Sequence, residues 1–148
     1  MIVEKVMAET AEQQLARQEG RKKMVYHDTK GFHTIGIGHN LDARGVDDAT
    51  IMRWFEEDYH TAQFDLVTHL PWVIELDPIR RDVLVNMTFN MGITRLLKFK
   101  KMLAAAEAHD WITAKKEMLN SDWAKPAPLG VGDRAKELAE NMLTGVRK

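Results

Sequence analysis

The chain contains no cysteine, which excludes thiolate nucleophiles, disulfides and cysteine-ligated zinc together. Serine occurs once, at Ser121, so carboxylates, histidines and threonine hydroxyls are the groups left with chemistry to offer. Glu19 stands directly before Gly20, and two further residues follow in the spacing Glu19-x8-Asp28-x5-Thr34. A helix ending at Glu19 and facing a hairpin that turns at Asp28 can hold two carboxylates on opposite walls of a cleft. Glycoside hydrolysis needs that pairing: one acid protonates the leaving oxygen, and the other carboxylate stabilises or activates the attack from the opposite face. On spacing alone the alternative stays open that each is a solvated surface charge, the usual state of Asp and Glu.

The six histidines lie at positions 27, 33, 39, 60, 69 and 109, and none forms the i,i+4 pair of a metalloprotease helix. His27, His33 and His39 punctuate one short segment and leave a metal site as a minor alternative; the expectation is no metal and no cofactor. The glycines of Gly36-Ile37-Gly38 sit between apolar residues with no Lys-Ser/Thr behind them, which argues against a phosphate loop.

The elements that must position these groups follow from periodicity and punctuation. Val3, Val6, Met7, Thr10 and Leu15 predict a helix over about 3–18, broken at Gly20 and Arg21-Lys22-Lys23. Val25 and Tyr26, the turn residues Asp28-Thr29-Lys30-Gly31, and then Phe32, Thr34, Ile35 and Ile37 predict a β hairpin. Asp47 caps a long helix over about 47–68 with the stripe Ile51, Phe55, Tyr59, Ala62 and Leu66, ended or bent by Pro71. Asp77-Pro78 opens the next, whose buried face is Ile79, Val83, Leu84 and Met87 and whose end is Gly92. Shorter helices are expected near 99–108 and 110–120, then a Pro- and Gly-rich loop over 126–132. Asp133 to Leu143 forms a last helix capped by Gly145. This is a mainly helical α+β pattern. It implies a two-lobed single domain over 1–148, with a β-containing lobe at about 20–45, a helical lobe at about 1–18 and 60–148, and the long helix as the link. A chain of 148 residues supports one such domain without staples.

Twenty-one Lys and Arg against 22 Asp and Glu give a net charge of −1, which argues against whole-molecule steering towards nucleic acid or a membrane. No signal-peptide core and no run of transmembrane length occurs, so a product made soluble, without stable membrane insertion, is expected. Any attraction to an anionic surface has to be local. Arg17, Arg21, Lys22, Lys23 and Lys30 cluster around Glu19 and could supply it, the plain alternative being a solvated rim.

Glu19-Gly20, Tyr26, Asp28-Thr29, Gly31 and Thr34-Ile35-Gly36-Ile37-Gly38-His39 closely resemble the active-site segment of the phage-type lysozymes, glycoside hydrolase family 24. Arg80-Arg81, Asn86-Met87 and Phe89-Asn90-Met91-Gly92 resemble the family's central helix, and Ser121, Trp123 and Arg134-Ala135-Lys136 its C-terminal segment. The likeness runs from about residue 9 to 145. It implies a lysozyme-like fold and a muramidase that cleaves the β-1,4 bond between N-acetylmuramic acid and N-acetylglucosamine in peptidoglycan. On the matched positions Glu19 is the general acid, Asp28 the second carboxylate, and Thr34 helps hold the attacking water. Similar enzymes invert, which requires carboxyls roughly 6.5–9.5 Å apart. Partial burial is expected to lift Glu19 above its usual value of about 4.3, with Arg134 opposing it.

The resemblance also makes His39 and Asp58 a supporting pair and places Phe89 near the sugar cleft, while Trp111 and Trp123 read as packing residues. It further implies a monomer that stays in a bacterial host's cytoplasm until a separate holin-like membrane protein gives it access to the wall. Several features depart from the family. The segment between His39 and Asp47 is short, Asn40 replaces an apolar residue, and Met102 and Glu117 replace small or polar cleft residues. The loop over 125–132 is longer than usual, and about eight residues precede the matching helix. The competing readings are a lytic transglycosylase, which needs no second carboxylate and no water, and a wall-binding or tail-associated module without activity.

Overall fold

The computed structural model describes residues 8–147, so the expected contribution of Val3, Val6 and Met7 lies outside the described residues. The chain divides into two compact units, one ending at Met52 and the other beginning at Arg53.

In the first unit α1 spans Ala11–Glu19, starting well inside the range that periodicity suggested. Thr10 is its N-cap rather than a member of an apolar face. The Thr10 hydroxyl accepts the Gln13 N–H at 3.2 Å and the Gln13 side chain accepts the Thr10 N–H at 2.9 Å, a reciprocal capping box. α1 buries none of its residues, and it stops where Gly20 takes a positive φ of 75°.

The expected hairpin is present as β1 (Lys22–His27) and β2 (His33–Gly36), with Tyr26 opposite Thr34 and His27 opposite His33. It gains a third antiparallel strand, β3 (His39–Asn40), paired as Thr34↔Asn40 and Ile35↔His39. Gly36, the last residue of β2, and Gly38, at φ 68° and 69°, turn the chain between β2 and β3. Asn40 then caps the single-turn helix α2 (Leu41–Arg44), its side chain accepting the Ala43 N–H at 2.9 Å. That role explains a polar residue at a position where an apolar one is usual.

α3 runs Asp48–His69, with Asp47 accepting the Thr50 N–H at 2.8 Å as its cap. Its stripe is buried only at Ala62 and Leu66; Ile51 and Phe55 are exposed, because packing on the core begins at Tyr59. Pro71 ends the helix and opens a 3-10 turn, Pro71–Glu75. The second unit continues with α4 (Pro78–Met91), α5 (Ile93–Leu96), α6 (Lys100–Glu107), α7 (Trp111–Leu119) and α8 (Asp133–Thr144). The single-turn α5 was not anticipated, since four residues are too few to show a period. Val83, Leu84, Val85, Met87 and Thr88 of α4 are all buried, so this helix is enclosed on most sides by a core that includes Leu66, Leu96, Met118 and Met142. Trp123 is buried with its Nε1 donating to Asn90 Oδ1 at 3.0 Å. The half-buried Trp111 carries the Arg80 guanidinium 4.0 Å above its ring. Both tryptophans are packing residues here.

Arg80 also closes the C-terminal end of α8. Its Nε donates to Met142 O at 2.7 Å and its Nη2 to Leu143 O at 2.8 Å, while Nη1 meets Asp77 Oδ1 at 3.1 Å. The planar fork serves two carbonyls, a carboxylate and an aromatic face at once, which a lysine ammonium cannot. Arg80→Ala is expected to cost about 3 kcal/mol in urea unfolding, with Arg80→Lys recovering less than half. Equal stability of the lysine variant and the parent would show that the fork geometry is unimportant.

Candidate active site

Asp28 follows β1 and makes the turn. Its Oδ1 accepts the Lys30 N–H at 2.8 Å and the Phe32 N–H at 3.0 Å, while its own N–H donates to Phe32 O at 3.0 Å and its carbonyl accepts the Gly31 N–H at 2.9 Å. Oδ1 is thereby fixed by two amides, and Oδ2 has no hydrogen-bond partner among the described residues. Alternation along the strands sets Tyr26, Thr34 and the half-buried Asp28 on one face of the hairpin and His27 and His33 on the other. Thr34 is buried at 3% exposure in the central strand, its hydroxyl donating to Phe32 O at 3.1 Å. Its oxygen keeps lone pairs free to accept.

Glu19 reaches the other end of β2. A Cβ built on Gly38 would lie 2.8 Å from Glu19 Oε2, so the carboxylate rests in the space that the missing side chain leaves at the β2–β3 turn. The expected partial burial of Glu19 is not found. The residue is exposed, because α1 buries nothing and the turn beneath it has no side chain at position 38. His39 Nε2 lies 2.7 Å from Gly45 O, and because a carbonyl can only accept, Nε2 carries the proton. Among the neighbouring cations Arg17 is paired with Glu9 at 2.9 Å, which reduces the local positive cluster expected around Glu19.

The other expected residues lie in the second unit. Asp58 is an exposed residue of α3. Arg134 Nε and Nη2 donate to Asn86 Oδ1 at 3.1 and 2.6 Å. Phe89 packs against Phe55 with tilted rings 5.8 Å apart, and Phe89, Asn86 and Arg134 line one groove of about 410 Å³. A second groove of about 850 Å³ holds Met102, Glu117 and Trp123, with Arg95, Lys98 and Lys101 among its lining residues. Met102 and Glu117, noted as departures, share this groove. Among the described residues no cluster of three His, Asp or Glu has metal-binding geometry.

Position 42 carries a signal that motif reading missed. Asp42 Oδ2 accepts the His33 N–H at 2.8 Å, and its Oδ1 lies 3.1 Å from His33 Nδ1, whose ring is 4.6 Å from that of His27. The His33 N–H holds the Asp42 carboxyl below its ordinary value against desolvation, the next largest influence, helped by the ring hydrogen bond and charge of His33 and, least, by His27. Neither the single-turn helix capped by Asn40 nor the reach of Asp42 back to β2 follows from the spacing of residues along the chain.

A model of the phage lysozyme family matches residues 16–139, most of the chain and all of the expected site residues. The chain belongs to the phage lysozyme family. Among its relatives, "Probable T4-type lysozyme 1" of Dictyostelium discoideum is 30% identical, with 82% of this chain and 89% of that protein covered. "Probable T4-type lysozyme 2" of the same organism is 29% identical over the same shares. The pre-baseplate central spike protein Gp5 of Enterobacteria phage T4 is 30% identical over 88% of this chain, but over only 27% of its own length. This phage lysozyme family member is a glycoside hydrolase of the lysozyme type, a peptidoglycan hydrolase in general terms.

Two outcomes follow from the geometry. Gly38→Ala forces a side chain into the positive-φ region, at a cost of about 1–2 kcal/mol, and drives a methyl into Glu19. It should lower peptidoglycan hydrolysis by about tenfold or more. Gly45→Ala, at φ 61° with nothing within 4 Å of the new Cβ, supplies the control that strains the backbone without touching Glu19. Equal activity losses in the two variants would mean that strain, not Glu19 placement, is responsible. The second outcome concerns acid. Asp42 titrates lower in the folded chain than in the unfolded one, so its contribution to stability is complete above the ordinary carboxylate range. That contribution is lost as pH falls through the lowered folded value. Urea midpoints taken from about pH 6 down to about pH 2 should decline less in Asp42→Asn than in the parent.

Proposed function

We propose that this chain is a muramidase that hydrolyses the β-1,4 bond between N-acetylmuramic acid and N-acetylglucosamine, with Glu19 as general acid and Asp28 directing the attacking water. The observation that carries the reading is the asymmetric fixing of Asp28. Two amide N–H groups bind Oδ1 and leave Oδ2 without a partner among the described residues. A carboxylate oriented in this way can accept a hydrogen bond from a water and aim it, and Thr34, on the same face of the hairpin, offers a second acceptor. Attack by a separately held water inverts the anomeric centre and needs the wider carboxyl spacing of roughly 6.5–9.5 Å.

Glu19 donates its proton to the leaving oxygen from above the β2–β3 turn. In the second unit Phe89 offers an aromatic wall for a sugar ring, and Arg134 an anchoring charge already fixed by Asn86. His39 and Asp58 act in support of the fold. The reading includes monomeric action and delivery from a host cytoplasm by a separate holin-like protein. No described helix is long and apolar enough to cross a membrane. A lytic transglycosylase would have no use for a directed second carboxylate. A wall-binding module would have no use for either acid.

The test is to digest purified peptidoglycan and identify the new sugar ends by mass spectrometry. The parent should release reducing N-acetylmuramic ends. Glu19→Gln should abolish them while leaving the melting temperature within about 2 °C of the parent, since the acid is exposed and makes no hydrogen bond among the described residues. Anhydro ends would establish transglycosylase chemistry instead, and wild-type turnover by the Gln variant would remove Glu19 from the mechanism.

A further inference from the structure

Beyond the two carboxylates, the sheet contains a side chain doing the work of a strand. β3 is two residues long: its last pair is Thr34↔Asn40, and Leu41, which would face His33 next, already belongs to α2. The Asp28 N–H donates across the hairpin to Phe32 O, which sets the alternation so that the adjacent His27 and His33 are a non-hydrogen-bonded pair. The N–H of His33 therefore points away from β1, towards the place where β3 has ended. Asp42 fills that place. Its Oδ2 accepts the His33 N–H at 2.8 Å and its Oδ1 lies 3.1 Å from the ring Nδ1.

We propose that Asp42 is a positioning residue for the candidate active site, its carboxylate standing in for the missing continuation of β3 and holding the start of β2 in place. The contact matters because of what lies on either side of His33. Phe32, before it, gives its N–H to Asp28 Oδ1 and receives the Asp28 N–H on its carbonyl. Thr34, after it, is the buried residue whose hydroxyl donates to the same Phe32 carbonyl. The path from Asp42 to Asp28 is two residues of backbone with a hydrogen bond at each end. Without Asp42, only the β1 side and the His27 ring brace His33, and the turn that aims Asp28 can rock about β1.

As an ion pair alone the His33–Asp42 contact would contribute little, since both side chains are about half exposed. The proposal rests on the main-chain N–H, which needs an acceptor more than it needs a charge. Asp42 lies in the short segment between His39 and Asp47.

This inference rests on the muramidase reading, and its test separates the two. Steady-state hydrolysis of peptidoglycan is compared for the parent, Asp42→Ala and Asp42→Asn, alongside amide hydrogen exchange by NMR. Asp42→Ala should lower kcat by about tenfold with KM within about twofold. It should also speed exchange at Lys30 and Phe32, the amides bonded to Asp28 and not to Asp42. Asp42→Asn, which keeps an acceptor for the His33 N–H, should regain more than half of kcat. Amides of α4 serve as the control for global unfolding and should keep their protection. Faster exchange confined to His33, or an unchanged kcat in the alanine variant, would overturn the proposal. If the parent released no sugar ends, the hydrolase reading would fail by itself. Unchanged exchange at Lys30 and Phe32 would then still refute the coupling, and faster exchange there would uphold it.

Discussion

Two main-chain N–H groups converging on one oxygen of Asp28 set the frame of the first unit. They close the turn between β1 and β2, fix which way the carboxylate faces, and through Phe32 reach the hydroxyl of Thr34. Reversing the chain again at Gly36 and Gly38 then brings β3 alongside and leaves an open seat for Glu19. None of this relies on a large apolar core. Thr34 is the one buried residue among the described positions up to Met52, so the order of this unit rests on hydrogen bonds and left-handed glycines rather than on area removed from water. Hydrogen bonds of this kind each contribute only about 1 kcal/mol net. Losing one of the few that converge on a turn therefore shifts its geometry before it unfolds anything.

The second unit is built on the opposite principle. α4 is enclosed by leucines and methionines, and its polar residues are used as ties: Asn86 accepts from Arg134 on α8, and Asn90 accepts from the buried Trp123. The two asparagines are four residues apart and so share one helix face. Phe89 lies beside them on the helix surface. The helix thus borders two grooves, Asn86 and Phe89 lining one and Asn90 the other.

Sequence patterns revealed most of this where the physics is local. The caps at Asp47 and Asp77, the turn at Asp28, the stop at Gly92 and the positive-φ end at Gly145 all follow from single residues acting within a few positions. Val83, Leu84 and Met87 of α4 follow from its period, whereas Ile79 is only half-buried and Val85 and Thr88 are buried beyond the expected face. Non-local events were not legible. The Thr10 cap displaced the expected start of α1 because capping outcompetes a loose apolar stripe. β3 was missed because two residues carry no alternation. The upper stripe of α3 is apolar yet exposed, and periodicity reports only that a face is apolar, not what covers it. At the site, residue types and spacing offered Glu19 and Asp28 as a carboxylate pair, and the family resemblance supplied their roles and that of Thr34. The reach of Asp42 to His33 and the seat at Gly38 depend on where the chain returns, which spacing does not encode.

The contrast between the two carboxylates is the most informative feature of the site, and it bears on their division of labour. Asp28 accepts two N–H groups and cannot turn without breaking them. Glu19 accepts none among the described residues and is located only by the shape of a glycine turn. A group that must aim a water needs a fixed direction, because the line of attack at the anomeric carbon allows little angular error. A group that hands a proton to a leaving oxygen has to follow that oxygen as the bond lengthens, and freedom about its side-chain torsions is useful there. Fixing by hydrogen bonds suits the first task and seating by shape suits the second. Exchanging the two environments would leave both residues present and neither task well served. The roles proposed for Glu19 and Asp28 thus rest on how each carboxylate is held as well as on which residues occur at that spacing.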